Sequence, residues 1–78
     1  MNNQEIKNWL VQKIAEESDI QPETIKTDMP IESFNLDSLS MITLSYDLEN
    51  ALGKEIDPTV FWQHNTIDKL AEAIETLP

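Results

Sequence analysis

Apolar residues recur along most of this chain at helical spacing, and the spacing fails in one long stretch near the middle. Counting from Gln4, Ile6, Trp9, Leu10 and Ile14 fall three or four apart, Lys13 and Glu17 share their line, and Val11 and Ala15 widen the stripe. This predicts an amphipathic helix, with Asn2 or Asn3 as its N-cap. It fades at Glu17-Ser18-Asp19, since acids sit badly at a helix C-terminus and Ser-Asp favours a turn. A second helix is predicted from Ser38 to about Leu52, capped by Asp37, with Met41, Leu44, Leu48 and Leu52 as its buried stripe. Leu39, Ile42, Thr43, Tyr46 and Glu49 make a second line on a different face, part apolar and part polar. Gly53 stands where a helix end favours positive φ, and Lys54 follows it near the negative end of the helix dipole. Asp57-Pro58-Thr59 reads as an N-cap followed by a first-turn proline. It opens a short helix over Val60, Phe61 and Trp62, which Gln63-His64-Asn65 breaks. Thr66 then caps a last helix with Ile67, Leu70, Ala71, Ile74 and Leu77 inside and Asp68, Lys69, Glu72 and Glu75 in water. Pro78 ends the chain.

Residues 20–36 lack any such period. Connections longer than about 12–15 residues are uncommon in compact domains and tend to be functional. Pro22 can open one helical turn there, and Ile20, Ile25, Met29, Ile31, Phe34 and Leu36 are spaced irregularly, as pegs fastening a loop to a core. Pro30 biases Met29 towards extended backbone. With no repeat and no strand-like alternation, the expected fold is all-α: a small bundle of three main helices plus a short one, with a long loop between the first two.

Composition narrows the function. The 78 residues form one domain, 1–78, with a thin core. Fifteen acids against five lysines and no arginine give a net charge of −10. Nucleic acid and anionic membrane surfaces are disfavoured, because neutralising phosphate needs a basic surface; basic protein partners are favoured. The apolar fraction of 40%, in periodic blocks, argues against disorder. No opening segment resembles a secretory signal and no apolar run suggests a membrane span, so a cytoplasmic protein is expected. Its short ends favour a free-standing one.

The residues offer little to an independent catalyst. There is no cysteine and one histidine, so nucleophilic triads and zinc sites lack parts; His64 reads as a turn residue beside the short helix. The lone glycine, Gly53, has neither a calcium loop nor a phosphate loop around it. Trp9 reads as core area; Trp62, on the short helix, keeps one side exposed.

What remains is Phe34-Asn35-Leu36-Asp37-Ser38-Leu39, where the long loop meets the second helix. A hydroxyl at Ser38 lies in a first turn whose N–H groups lack intrahelical partners and whose dipole favours negative charge. A phosphate ester there would be well placed. Taken alone, an Asp-Ser pair at this position more often does nothing but cap the helix.

These residues resemble an acyl carrier protein, and nearly the whole chain takes part. The resemblance is carried by Pro22-Glu23-Thr24-Ile25, by the stretch around Asp37-Ser38-Leu39, by Asp47-Leu48-Glu49 and Leu52-Gly53, and by Asp57-Pro58-Thr59, Thr66-Ile67 and Leu70-Ala71. It implies a non-catalytic carrier. A phosphopantetheinyl transferase would move 4′-phosphopantetheine from coenzyme A onto Ser38, with Asp37 flanking, and the arm's thiol would hold an acyl thioester. The reactive sulfur would thus come with the cofactor, which fits a chain without cysteine. The resemblance further implies a monomer. Its partners would be an acyl-loading ligase or acyltransferase and a ketosynthase or other pathway enzymes with basic docking patches. They would meet the second helix through Leu39, Ile42, Tyr46, Asp47 and Glu49. Asp before the serine and the segment 57–62 resemble fatty-acyl or polyketide carriers more than aminoacyl or peptidyl ones. An unmodified acidic adaptor is the alternative of another class. Two positions depart from the family: Asn35 stands where glycine is usual, and Asn65 where proline is frequent. Asparagine tolerates left-handed backbone, so the turn at 35 is expected to survive.

Overall fold

The computed structural model describes residues 1–77; Pro78, read above as the end of the chain, lies outside them. Four α-helices form among the described residues: α1 (Asn3–Ser18), α2 (Ser38–Leu52), α3 (Val60–Gln63) and α4 (Ile67–Glu75). The three long ones begin on side-chain caps. Asn2 and Glu5 make a reciprocal capping box at α1, with bonds of 2.8 and 2.9 Å. The Asp37 carboxylate accepts from the Ser40 N–H at α2, and the Thr66 hydroxyl accepts from the Lys69 N–H at α4. Each such cap is worth about 1 kcal/mol. Gly53 ends α2 at φ 69°, and a Cβ there would meet nothing within 4 Å, so backbone conformation rather than space calls for glycine.

The core collects the predicted stripes. Ile6, Leu10 and Ile14 of α1 meet Leu44 and Leu48 of α2, Phe61 of α3 and Ile67, Leu70, Ala71 and Ile74 of α4, and α1 packs chiefly on α4. Trp9, Val11, Leu52 and Leu77 are half-buried against this core. Trp9 carries the Lys13 ammonium 5.8 Å above its ring, at the outer limit of a cation–π contact.

The long connection is held down. It contains two 3-10 turns, Pro22–Thr24 as expected and Ile31–Phe34, which the sequence pattern did not indicate. Ile25, Ile31 and Phe34 are buried, and Met29 and Leu36 half-buried. Ile20, expected as a sixth peg, is instead 38% exposed. The chain turns outward there because Asp19 takes left-handed backbone, φ 56°. Two hydrogen bonds strap the loop across the α3–α4 junction. The Ile31 N–H donates to Asn65 O at 2.7 Å, which sets Pro30 opposite Thr66 in an isolated bridge, and the Asp68 N–H donates to Thr27 O at 3.0 Å.

Other expectations are corrected in detail. Asp57 does not cap α3 directly: its carboxylate accepts from the N–H and hydroxyl of Thr59, and the helix itself begins at Val60, the first residue expected in it. Lys54, just past the end of α2, also donates from Nζ to Leu77 O, just beyond α4. Asp68 is only partly in water, because it pairs with Lys7 at 3.3 Å. Ser45, which belongs to neither predicted line of α2, is fully buried and satisfies its hydroxyl on Ile42 O at 2.7 Å.

Candidate functional site

The straps place Ser38. Phe34 is buried at the end of the second 3-10 turn, and Asn35 then turns the chain at φ 58°, ψ 35°. Asparagine can do what glycine usually does at such a turn because its short polar side chain tolerates this region. Leu36 packs on the core, Asp37 caps, and Ser38 is the first residue of α2. Its side chain is exposed, and its hydroxyl makes no hydrogen bond within the described residues. The cap takes the Ser40 N–H through the Asp37 carboxylate, and the Met41 N–H goes to Asp37 O. The N–H groups of Ser38 and Leu39 have no intrahelical acceptor. Donors around the cap hold the Asp37 carboxyl below the usual aspartate range, the Ser40 N–H first and its hydroxyl second. Asp37 is therefore a settled anion at neutral pH. A phosphate on Ser38 would lie at the surface beside it, at the positive end of the helix dipole.

The flanking residues differ in exposure. Leu39 is 71% exposed and Tyr46 57%. They stand seven residues apart, two turns along one face, with Ile42 half-buried and Thr43 exposed between them. No side chain from 38 to 46 is charged. Asp47 is half-buried. Glu49 is also half-buried, and its Oε1 accepts from the Ile56 N–H at 2.8 Å, bracing the link to α3. Of the two acids in α2, one is thus partly occupied with the fold.

Sequence reasoning did not bring Trp62 to the serine. Trp62 is 51% exposed, and with Glu32 and Asn65 it lines a groove that also includes Asp37 and Ser38. These residues come from two separate stretches, 32–38 and 62–65, which the bond from Ile31 to Asn65 helps to join. The one signal in the sequence was a tryptophan on a helix too short to bury both of its sides. Among the described residues, no group of three or more metal-binding side chains occurs, and no helix is long and apolar enough to cross a membrane.

Residues 8–74 match the family described as "Phosphopantetheine attachment site". The chain belongs to this family of carrier proteins. Members carry a covalently attached 4′-phosphopantetheine and are in general not catalysts. An exposed serine with an unengaged hydroxyl at the start of α2 suits such a group. Among solved structures, the carrier is similar to a free-standing peptidyl carrier protein from Acinetobacter baumannii, at 33% identity and TM-score 0.88, covering 94% of this chain and 91% of that one. It is also similar to an acyl carrier protein from Anabaena with a variant phosphopantetheinylation-site sequence, at 28% identity and TM-score 0.86, covering 96% and 85%. Among curated proteins, it is similar to the polyketide synthase PksL of Bacillus subtilis, 30% identical over 67 residues. That match takes in 86% of this chain but 2% of the relative, so the carrier corresponds to a small part of a much longer protein. A phenolphthiocerol/phthiocerol polyketide synthase of Mycobacterium tuberculosis is 27% identical over the same share of this chain and 4% of its own length.

Proposed function

We propose that the 78 residues act as one carrier unit whose Ser38 bears the 4′-phosphopantetheine arm and whose cargo is a polyketide or fatty-acyl intermediate. The observation that supports Ser38 most is its exposed, unengaged hydroxyl at the first turn of α2. In the attachment step, a phosphopantetheinyl transferase brings coenzyme A to that hydroxyl. The Ser38 oxygen forms a bond to the phosphorus nearest the pantetheine, the pyrophosphate bond breaks, and the adenosine half leaves with the bonding pair. The serine proton passes to a base of the transferase or to water. Once bound, the arm supplies a thiol that holds an acyl group as a thioester. The carrier's own residues present it: Asp37 fixes the helix start, and the loop straps fix Asp37.

Docking of pathway enzymes, such as an acyl-loading ligase, an acyltransferase or a ketosynthase, falls to Leu39, Ile42 and Tyr46, with Asp47 at the edge. Glu49 serves mainly as a brace. Because residues 38–46 carry no charge, contact here rests on Leu39, Ile42 and Tyr46 and not on ion pairs. The acids elsewhere steer basic partners from a distance. Polyketide cargo is supported by the similarity to polyketide synthases and by Asp before the serine. A peptidyl or aminoacyl cargo is the second reading, favoured by the 33% identity to the Acinetobacter peptidyl carrier.

Two steps test this. Incubation with coenzyme A and a broad-range transferase should add one phosphopantetheine to the intact mass, whereas an unmodified adaptor would gain nothing. The loaded protein is then offered to acyl-activating and amino-acid-activating ligases. A thioester formed only with amino acids would overturn the polyketide or fatty-acyl assignment.

A further inference from the structure

Trp62 is the least accounted-for side chain in the molecule. Its neighbour Phe61 is 2% exposed and holds α3 to the core, while the Trp62 indole stands half in water. It lines a groove of about 550 Å³ floored by Met41 and Phe61, within the range of about 300–1,000 Å³ typical of small-molecule sites. Ser38 lies in the same lining. The rim carries the carboxylates of Glu32 and Asp37, which repel an anion and accept from N–H groups. Asn65 completes it. Its backbone oxygen is fixed by the Ile31 N–H, and its side-chain amide has no partner among the described residues. The groove therefore suits a guest, tethered at Ser38, that sets an apolar part on the indole and offers N–H groups to the carboxylates. Beyond its phosphate, the pantetheine arm has that constitution: a carbon bearing two methyl groups, then two amides.

We propose that Trp62 and Asn65 form a resting site for the arm on the outside of the bundle, with the indole against the methyl groups and Asn65 and Glu32 bonded to the amides. This rests on the reading of Ser38 as the attachment point. The site holds the arm close to the carrier between encounters and leaves the apolar ridge of Leu39 and Tyr46, which lies outside the groove lining, free for partners.

The test uses isotope-labelled full-length protein before and after loading by a transferase, with conversion first verified by intact mass. In the loaded form, nuclear Overhauser contacts should connect the Trp62 ring protons to the arm's methyl groups. The Trp62 indole and Asn65 amide signals should move, and the Trp9 indole should stay. Trp62→Ala, checked for an unchanged melting curve, should lose those contacts and leave the arm's thiol about threefold more reactive towards a soluble disulfide, the scale of one exposed aromatic contact. If the mass is gained but no contact reaches Trp62 and the variant's thiol reacts at the same rate, the resting site is wrong and the attachment reading stands. If no mass is gained, the attachment reading fails and takes this one with it.

Discussion

Upstream of Ser38, residues 20–36 have no period, yet they bury Ile25, Ile31 and Phe34. Downstream, α2 is regular, yet it leaves Leu39 and Tyr46 in water. The first region spends its apolar residues on placement. Its pegs and straps fix one turn, and that turn sets where Ser38 stands. The second region buries one face through Leu44 and Leu48 and leaves the other without a partner in the chain. A single fold thus treats residues of similar size in opposite ways on the two sides of one serine. The difference marks which side serves stability and which faces other molecules.

Substitution sharpens this contrast most. Phe34→Ala should cost about 3–5 kcal/mol, the range for deleting a buried phenyl ring. In a domain of this size, that is a large part of the stability. Leu39→Ala and Tyr46→Ala should change it by no more than about 0.5 kcal/mol, as at exposed positions free of special contacts. Urea unfolding followed by circular dichroism measures all three. Equal losses on both sides of Ser38 would erase the distinction drawn here.

The same exposed pair should matter when a partner is present. For an enzyme that acts on the loaded carrier, Leu39→Ala or Tyr46→Ala should raise KM about fivefold or more, as for a central apolar contact. Raising the salt concentration should slow encounter without abolishing the effect of either substitution, since residues 38–46 are uncharged. Steady-state kinetics at two ionic strengths would show a collapse of both effects if docking on this face were electrostatic.

Acid acts on the straps and the cap together. Asp68 is held below the usual aspartate range by the Thr27 hydroxyl first and by Lys7 after it, and Asp37 by the Ser40 donors. Carboxyls with lowered folded values contribute stability that is complete above the ordinary aspartate pKa. That contribution is lost as pH falls through the folded value. Stability should therefore be flat near neutrality and decline below about pH 4. Asp37→Asn keeps a good capping acceptor but removes one titrating group, so its decline should be shallower. An identical acid profile in that variant would remove Asp37 from the account.

Much of this was legible in the sequence because helices announce themselves by period. The bounds of α2, its Asp37 and Gly53 caps and the inner face of α4 follow from spacing and cap chemistry. The loop was legible as pegged but not as strapped. The bonds Ile31 to Asn65 and Asp68 to Thr27 join backbone groups far apart in sequence, and backbone donors leave no mark in a residue pattern. Glu49 looked like part of a docking face, and only the fold shows its carboxylate turned to Ile56. The meeting of Trp62 with Ser38 was hidden for the same reason: it depends on where two loops end.

The central claim is that the free hydroxyl of Ser38 is where the arm attaches. Wild-type protein and Ser38→Ala, each shown to keep its helical circular dichroism, are incubated with coenzyme A and a transferase, and the products are fragmented in a mass spectrometer. The account predicts one added phosphopantetheine, located on Ser38, in the wild type and none in the variant. An added arm on Ser33, Ser40 or any other hydroxyl, or labelling of Ser38→Ala, would contradict it.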